Sequence, residues 1–195
     1  VGGAAEFPVT RFGVVADDEA PDTAAIQAAI DACGQAGGGR VLFPPGTCLS
    51  GTLRLRSGVE LHLPQGARLA GVKNLDAYAG FQALEGEPPL PQSRWHRGLV
   101  FEGGWDGVHF RGSPAAWNRD VRITGCRFFT GDDSIAGHYV EDGVVEDCVI
   151  NSSCNGVRLI GPARRLSFSK CEFYGPGKFE HRTGGRTNML ATLCV

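Results

Sequence analysis

The sequence predicts an all-β fold, a single-stranded parallel β-helix closed at its N-terminal end by one capping helix. Three observations predict it. Short alternating segments are separated by Gly and Pro, a repeat with steps of 22 and 23 residues runs through the second half, and one isolated helical pattern stands near the start.

The helix comes first. Ile26, Ala29, Ile30 and Cys33 fall at helical spacing, giving a capping helix over 22–36. Asp22 or Thr23 is expected to cap its first amides, and Gly34 followed by Gly37-Gly38-Gly39 to stop it. Short β segments follow: Val41-Leu42-Phe43 before Pro44-Pro45-Gly46, then Leu53-Arg54-Leu55, Val59 to Leu63, and Ala67 to Ala70. Residues 73–98 have no period and read as a surface loop.

The repeat lies in residues 106–195. Val121-Arg122-Ile123-Thr124-Gly125-Cys126 aligns with the segments ending at Cys148 and Cys171. A second set interleaves: Val108-His109-Phe110, Ser134-Ile135-Ala136 and Val157-Arg158-Leu159, with Ile135 set against Arg158 at a spacing of 23. Stacked coils of two or three strands, with no repeated helix, are a β-solenoid, and the cysteine ladder reads as small inward packing. Terminal coils of such a stack need a cap, the place given to the helix.

Composition bounds the rest. The 195 residues form one domain, 42% hydrophobic and 21% charged, with enough apolar material for a core. A net charge of -2 gives no case for nucleic acid or an anionic membrane, and no apolar run reaches membrane-spanning length. Gly at 29 of 195 is about twice the usual roughly 7%, as many tight turns require. Seven cysteines leave at least one unpaired within a single chain, and none forms a C-x-x-C pair, so a zinc site is not expected. No other metal and no cofactor is expected. The opening Val1-Gly2-Gly3 lacks the basic and apolar segments of a signal peptide.

The solenoid gives meaning to the stretch Thr130-Gly131-Asp132-Asp133-Ser134. Residues one period apart stack at about 4.8 Å. Asp106, Asp132, Asp133 and Asn155 each precede a strand of the second set, so they should meet at one corner of three coils. The spacing of 26 from Asp106 to Asp132 exceeds the repeat, which places a bulge at Gly112 to Ala116. Clustered acids of this kind suit glycoside hydrolysis: a protonated carboxyl serves the leaving oxygen and a carboxylate activates water. Mutual repulsion raises one pKa and keeps an acid protonated. A turn of solvated aspartates is the plainer alternative.

At these residues the chain resembles the polygalacturonase-like glycoside hydrolases, family 28, within the pectin-lyase-like β-helices. The similarity rests on Trp105-Asp106-Gly107 and Gly131-Asp132-Asp133-Ser134-Ile135-Ala136, and on the opening segments Phe12-Gly13-Val14, Asp22 to Asp31 and Phe43-Pro44-Pro45-Gly46. It implies a right-handed helix that cleaves pectin-like polysaccharide with inversion, by catalytic Asp106, Asp132 and Asp133. Asp132 would be the general acid; Asp106 and Asp133 would hold the water. Asn155, Arg158 and Arg186 are the candidate substrate-binding residues. The pattern departs in three places: Gly104-Trp105 stands for Asn-Thr, Asn155-Gly156 for His-Gly, and Arg186 has no following lysine. The resemblance also implies an extracellular or periplasmic monomer, and a chain that is a fragment or internally shortened. A catalytically impaired glycan-binding β-helix and a polysaccharide lyase on the same fold stay open.

Several further residues have two readings. His138 is expected on a turn, and His181-Arg182 with Arg186 as a solvated basic loop or a subsite. Arg158 either faces outward or pairs with a buried acid. Trp95, Trp105 and Trp117 either stack on sugars or pack.

Overall fold

The computed structural model describes residues 4–74, 77, 102–103, 106–181 and 183–195. It contains two compact units, one up to residue 79 and one from residue 80. Almost all of the expected 73–98 loop, with Trp95, Trp105 and Arg182, lies outside the described residues.

In the first unit, β1 (Glu6–Pro8), β2 (Gly39–Leu42) and β4 (Val59–His62) form a parallel sheet, and β3 (Gly46–Ser50) pairs with β5 (Ala67–Gly71). Helix α1 spans Thr23–Gln35 and packs on β1 to β4. Its buried face is the expected one, Ile26, Ala29, Ile30 and Cys33, with no exposure at any of the four. Burying one such Ile stabilises by about 1.5–3 kcal/mol, so Ile30→Ala is a damaging change here.

The ends of α1 differ from expectation. The Asp22 carboxylate makes no cap; it accepts from Leu49 N (3.2 Å) and Val15 N (3.4 Å), and Thr23 Oγ1 accepts from Gly51 N (2.8 Å). Both side chains join the helix to the adjoining backbone instead. Gly34 lies inside the helix; a Cβ there would meet the Arg56 side chain at 2.8 Å, so the residue permits close approach and does not terminate the helix. Leu53-Arg54-Leu55 forms no strand. Gln27 satisfies the backbone of Arg54 in both directions, donating to its O (3.0 Å) and accepting from its N (2.8 Å), and so occupies the groups a neighbouring strand would use.

The second unit has three strands per coil and three parallel sheets. The first joins β6 (Glu102–Gly103), β10 (Arg127–Thr130), β13 (Val149–Ser152) and β16 (Glu172–Tyr174). The second joins β7 (Val108–Phe110), β11 (Ile135–Gly137), β14 (Asn155–Leu159) and β17 (Ala191–Cys194). In the third, β8 (Asn118–Arg119) and β9 (Arg122–Thr124) pair with β12 (Val140–Glu146), which pairs with β15 (Ala163–Ser169). Phe128, Ile150, Ile123, Ile135, Val140 and Val157 fill the interior. The described residues thus form a parallel β-helix with one N-terminal α-helix, the fold class expected from the sequence.

Corner residues repeat with the coils. Gly125, Asp147 and Lys170 all have left-handed φ, of 64°, 54° and 51°, and each precedes a ladder cysteine. The ladder is a corner device as much as core: Cys148 is buried, while Cys126 and Cys171 are partly exposed. Their thiols donate to the carbonyl two residues back, at Thr124, Glu146 and Ser169 respectively. The extra residues of one coil fall where expected. Phe110 pairs with Gly137 and Asn118 with Val140, so 8 positions in one coil match 3 in the next, and Ser113 and Ala116 close the bulge with two backbone bonds.

Candidate active site

The acids meet at the corner between the first and second sheets. Gly107 N donates to Asp133 O (3.0 Å), Val108 N to Ser134 O (2.9 Å) and Ser134 N to Asn155 O (3.1 Å). Val108 is in register with Ile135, and Ile135 with Val157. Asp106, Asp133 and Asn155 therefore occupy successive rungs. The sequence alignment was one residue out: Asp133, not Asp132, stacks on Asp106, and Val157, not Arg158, pairs with Ile135. The buried side of the sheet takes Val157 and leaves Arg158 facing out. Gly107 is needed between the rungs, since a Cβ there would sit 2.5 Å from Ser134 O.

Two hydroxyls fix the turn carrying the paired acids. Thr130 Oγ1 (2.9 Å) and Ser152 Oγ (2.7 Å) both donate to Asp132 O, and Thr130 also bonds Ser134 Oγ (2.7 Å). Asp106, Asp132 and Asp133 are all buried, and their carboxylate oxygens come within 4.8 Å of one another. Each acid has its own partner. His109 Nδ1 lies 2.8 Å from Asp106 Oδ2. His181 Nε2 lies 3.5 Å from Asp132 Oδ1. Asp133 Oδ1 accepts from the Asn155 amide (2.7 Å) and backbone N (3.2 Å). The half-exposed Arg158 approaches Asp133 Oδ2 at 3.7 Å.

Burial dominates the electrostatics. It pushes the Asp106 carboxyl up to about 6; His109 opposes this, and the neighbouring Asp132 and Asp133 charges add to it. Burial also pushes the Cys154 thiol up to about 12, so it is a neutral thiol and no nucleophile. Arg186 Nη2 contacts Cys154 Sγ at 3.5 Å, while Arg186 Nε is buried without a hydrogen-bond partner among the described residues. A partly buried guanidinium whose covered Nε–H is spare is a natural seat for an anionic group.

Among the described residues two donor sets lie within ligand reach of a cation: Asp106, Asp132 and Asp133, which suit a hard ion, and Asp132, Cys154 and His181, which suit a softer one. Arg158 and Arg186 beside these sets weigh against a cation.

The corner thus gathers all six site residues expected from the sequence. It also holds His109 and Cys154, which sequence reasoning passed over, and His181, for which it left a loop and a subsite open. For His181 the sequence leaves two readings, a solvated loop or a subsite; the side chain is 6% exposed and lies against Asp132. His109 carried one available signal, its place three residues beyond Asp106 on an outward strand position. His138 packs edge-on against Tyr139. Trp117 packs edge-on against Tyr139, with the Arg164 guanidinium over one face of its ring at 4.7 Å.

No protein-family model matches the chain. An exo-poly-α-D-galacturonosidase of Dickeya chrysanthemi is 41% identical over 70 residues, which are 36% of this chain and 11% of that enzyme. A family 28 exopolygalacturonase of Yersinia enterocolitica superposes with a TM-score of 0.63 at 17% identity, over 86% of this chain and 43% of that one. The A-module of a mannuronan C-5 epimerase from Azotobacter vinelandii superposes more loosely, with a TM-score of 0.49 at 17% identity over 96% of this chain and 64% of that one. The chain spans about a tenth of the length of the galacturonosidase and less than half that of the exopolygalacturonase.

Proposed function

We propose that this chain, a polygalacturonase-like β-helix of the pectin-lyase-like kind, is the site-bearing part of an inverting glycoside hydrolase acting on polygalacturonate or a related pectic glycan. The observation that carries the reading is the convergence of three buried carboxylates from adjacent coils within 4.8 Å. The partial likeness to an exo-poly-α-D-galacturonosidase supports the pectic substrate.

In this reading Asp132 gives its proton to the glycosidic oxygen as the C–O bond breaks. Asp106 and Asp133 orient a water for attack on the anomeric carbon, and one of them takes its proton. The reaction uses no metal. Arg186 offers its spare Nε–H to a uronate carboxylate, and Arg158 extends the cationic edge beside Asp133. Asn155 acts chiefly on Asp133, since its amide is already engaged there. We place the enzyme outside the cell or in the periplasm, working as a monomer.

One observation favours a second stereochemistry. Inverting pairs ordinarily stand about 6.5–9.5 Å apart to admit water, and retaining pairs about 5–5.5 Å. One oxygen from each of the three carboxylates lies within 4.8 Å of the others, which fits the shorter spacing. The test is reducing-end release from a panel of pectic polysaccharides, with the first-formed anomer read by proton NMR. The inverted anomer is expected; the retained one would make one aspartate a nucleophile.

A further inference from the structure

His181 reaches the acid cluster from the segment after β16, and that segment is firmly seated. Lys178 N donates to Asn151 Oδ1 (2.7 Å), Ser153 Oγ to Phe179 O (2.5 Å) and His181 N to Arg186 O (2.8 Å). The imidazole is buried, and each of its nitrogens faces a different group. Nδ1 receives the backbone N–H of Thr183 at 3.2 Å and lies 3.0 Å from the Thr183 hydroxyl. A backbone amide can only donate, so Nδ1 carries the lone pair and, in the neutral ring, Nε2 carries the proton. Nε2 lies 3.5 Å from Asp132 Oδ1, the carboxylate oxygen that this proton can serve.

We propose that His181 is a positioning residue for Asp132: its Nε2–H engages Oδ1 and leaves Oδ2 as the oxygen that carries the transferable proton. This rests on the reading of Asp132 as the general acid. The proton then leaves Oδ2 for the glycosidic oxygen, the C–O bond breaks, and the water's proton passes to Asp106 or Asp133. His181 keeps its own proton throughout and ensures that the acid's proton sits on one oxygen only. Thr183 sets the tautomer, and the bonds to Asn151 and Ser153 set the position of the ring.

The rival use of the same atoms is a metal site with Asp132 and Cys154. Ligation through Nε2 requires that nitrogen bare, which moves the proton to Nδ1 against the Thr183 N–H. Cys154 would also have to ionise among carboxylates. Both requirements favour the hydrogen bond.

The test compares His181→Ala and His181→Gln with wild type on polygalacturonate and on dinitrophenyl galacturonide, whose leaving group needs no proton. General-acid assistance is worth about 10²–10⁴-fold. We expect His181→Ala to lose about 10- to 100-fold in kcat on the polymer, with KM little changed and the dinitrophenyl substrate nearly unaffected. His181→Gln, which retains an N–H donor, should recover much of the loss. An equal loss on both substrates, or no recovery with Gln, would overturn the proposal. Long-range nitrogen–proton NMR of the imidazole gives a readout free of turnover. The Nε2–H tautomer is expected, with its signal displaced in Asp132→Ala. An Nδ1–H tautomer, or a signal indifferent to Asp132, would refute the contact. A wild-type chain silent on every glycan would tell against the hydrolase reading, and the spectrum would still decide the contact.

Discussion

Asn155 donates twice to a single oxygen of Asp133, from its side-chain amide at 2.7 Å and from its backbone N at 3.2 Å. One coil thereby fixes the carboxylate of the coil beneath it. The two residues are 22 positions apart and meet only because the coils stack in register. A hydrogen bond to a charged group contributes about 1.5–3 kcal/mol. Asn155→Ala should therefore lower stability by about 1–3 kcal/mol in urea unfolding and reduce turnover. Asn155→Asp should be worse, because it sets a fourth carboxylate against Asp133. Equal behaviour of the two variants would mean that the amide does not hold the acid.

Asp106 should govern the pH profile. In the proposed water-activating pair it would have to be ionised, so kcat/KM should rise through about pH 6. A fall through the same region would reassign Asp106 as the acid.

The same group makes a stability prediction. Its folded pKa of about 6 lies above the ordinary 3.8, so the folded state holds this proton where the unfolded chain has released it. Its contribution is full below about pH 3.8 and is lost as pH rises to about 6. Two units correspond to about 3 kcal/mol, an upper bound. At pH 7 Asp106→Asn should raise Tm by about 2–4 °C per kcal/mol recovered while abolishing turnover, a divergence that calorimetry and an activity assay would show together. A lower Tm would mean that the ionised carboxylate is well accommodated.

A charge cluster on the third sheet should matter to stability alone. The Glu141 side chain is covered by Arg119, Arg164 and Arg165, which are themselves more than half exposed. Arg164 is the largest cause holding its carboxyl below the usual range of 4.5. Stability from a lowered pKa is present at neutral pH and is lost as pH falls. Glu141→Ala should thus lower Tm at pH 7, with the deficit shrinking in acid. Asp142→Ala should do less, because Arg165 then still bonds Glu141 at 2.9 Å. Thermal scans across pH would show the difference.

Chelation should leave activity unchanged. Loss with EDTA, return with calcium and an unsaturated, ultraviolet-absorbing product would together select a lyase over a hydrolase.

Much of this was legible in the sequence. The cysteine steps of 22 and 23 disclosed the coil, and the coil brought Asp106, Asp132, Asp133 and Asn155 to one corner. The register was misjudged by one residue because strand starts differ between coils, and only the buried position of Val157 fixes it. Leu53-Arg54-Leu55 alternates like a strand, yet a side chain 27 residues away takes its hydrogen bonds, and no local pattern announces that. His181 was legible only as an open choice between a solvated loop and a subsite. A histidine among Gly, Arg and Thr looks solvated until the bonds that seat its segment on Asn151 and Ser153 are seen.

The most direct test of the central claim is reducing-end release from polygalacturonate by the wild-type chain and by Asp132→Asn, both shown to be folded. The account predicts release by wild type and a loss of at least about 100-fold in the variant, as removal of a general acid should produce. Equal release by both proteins would contradict it, because the proton would then come from elsewhere than Asp132.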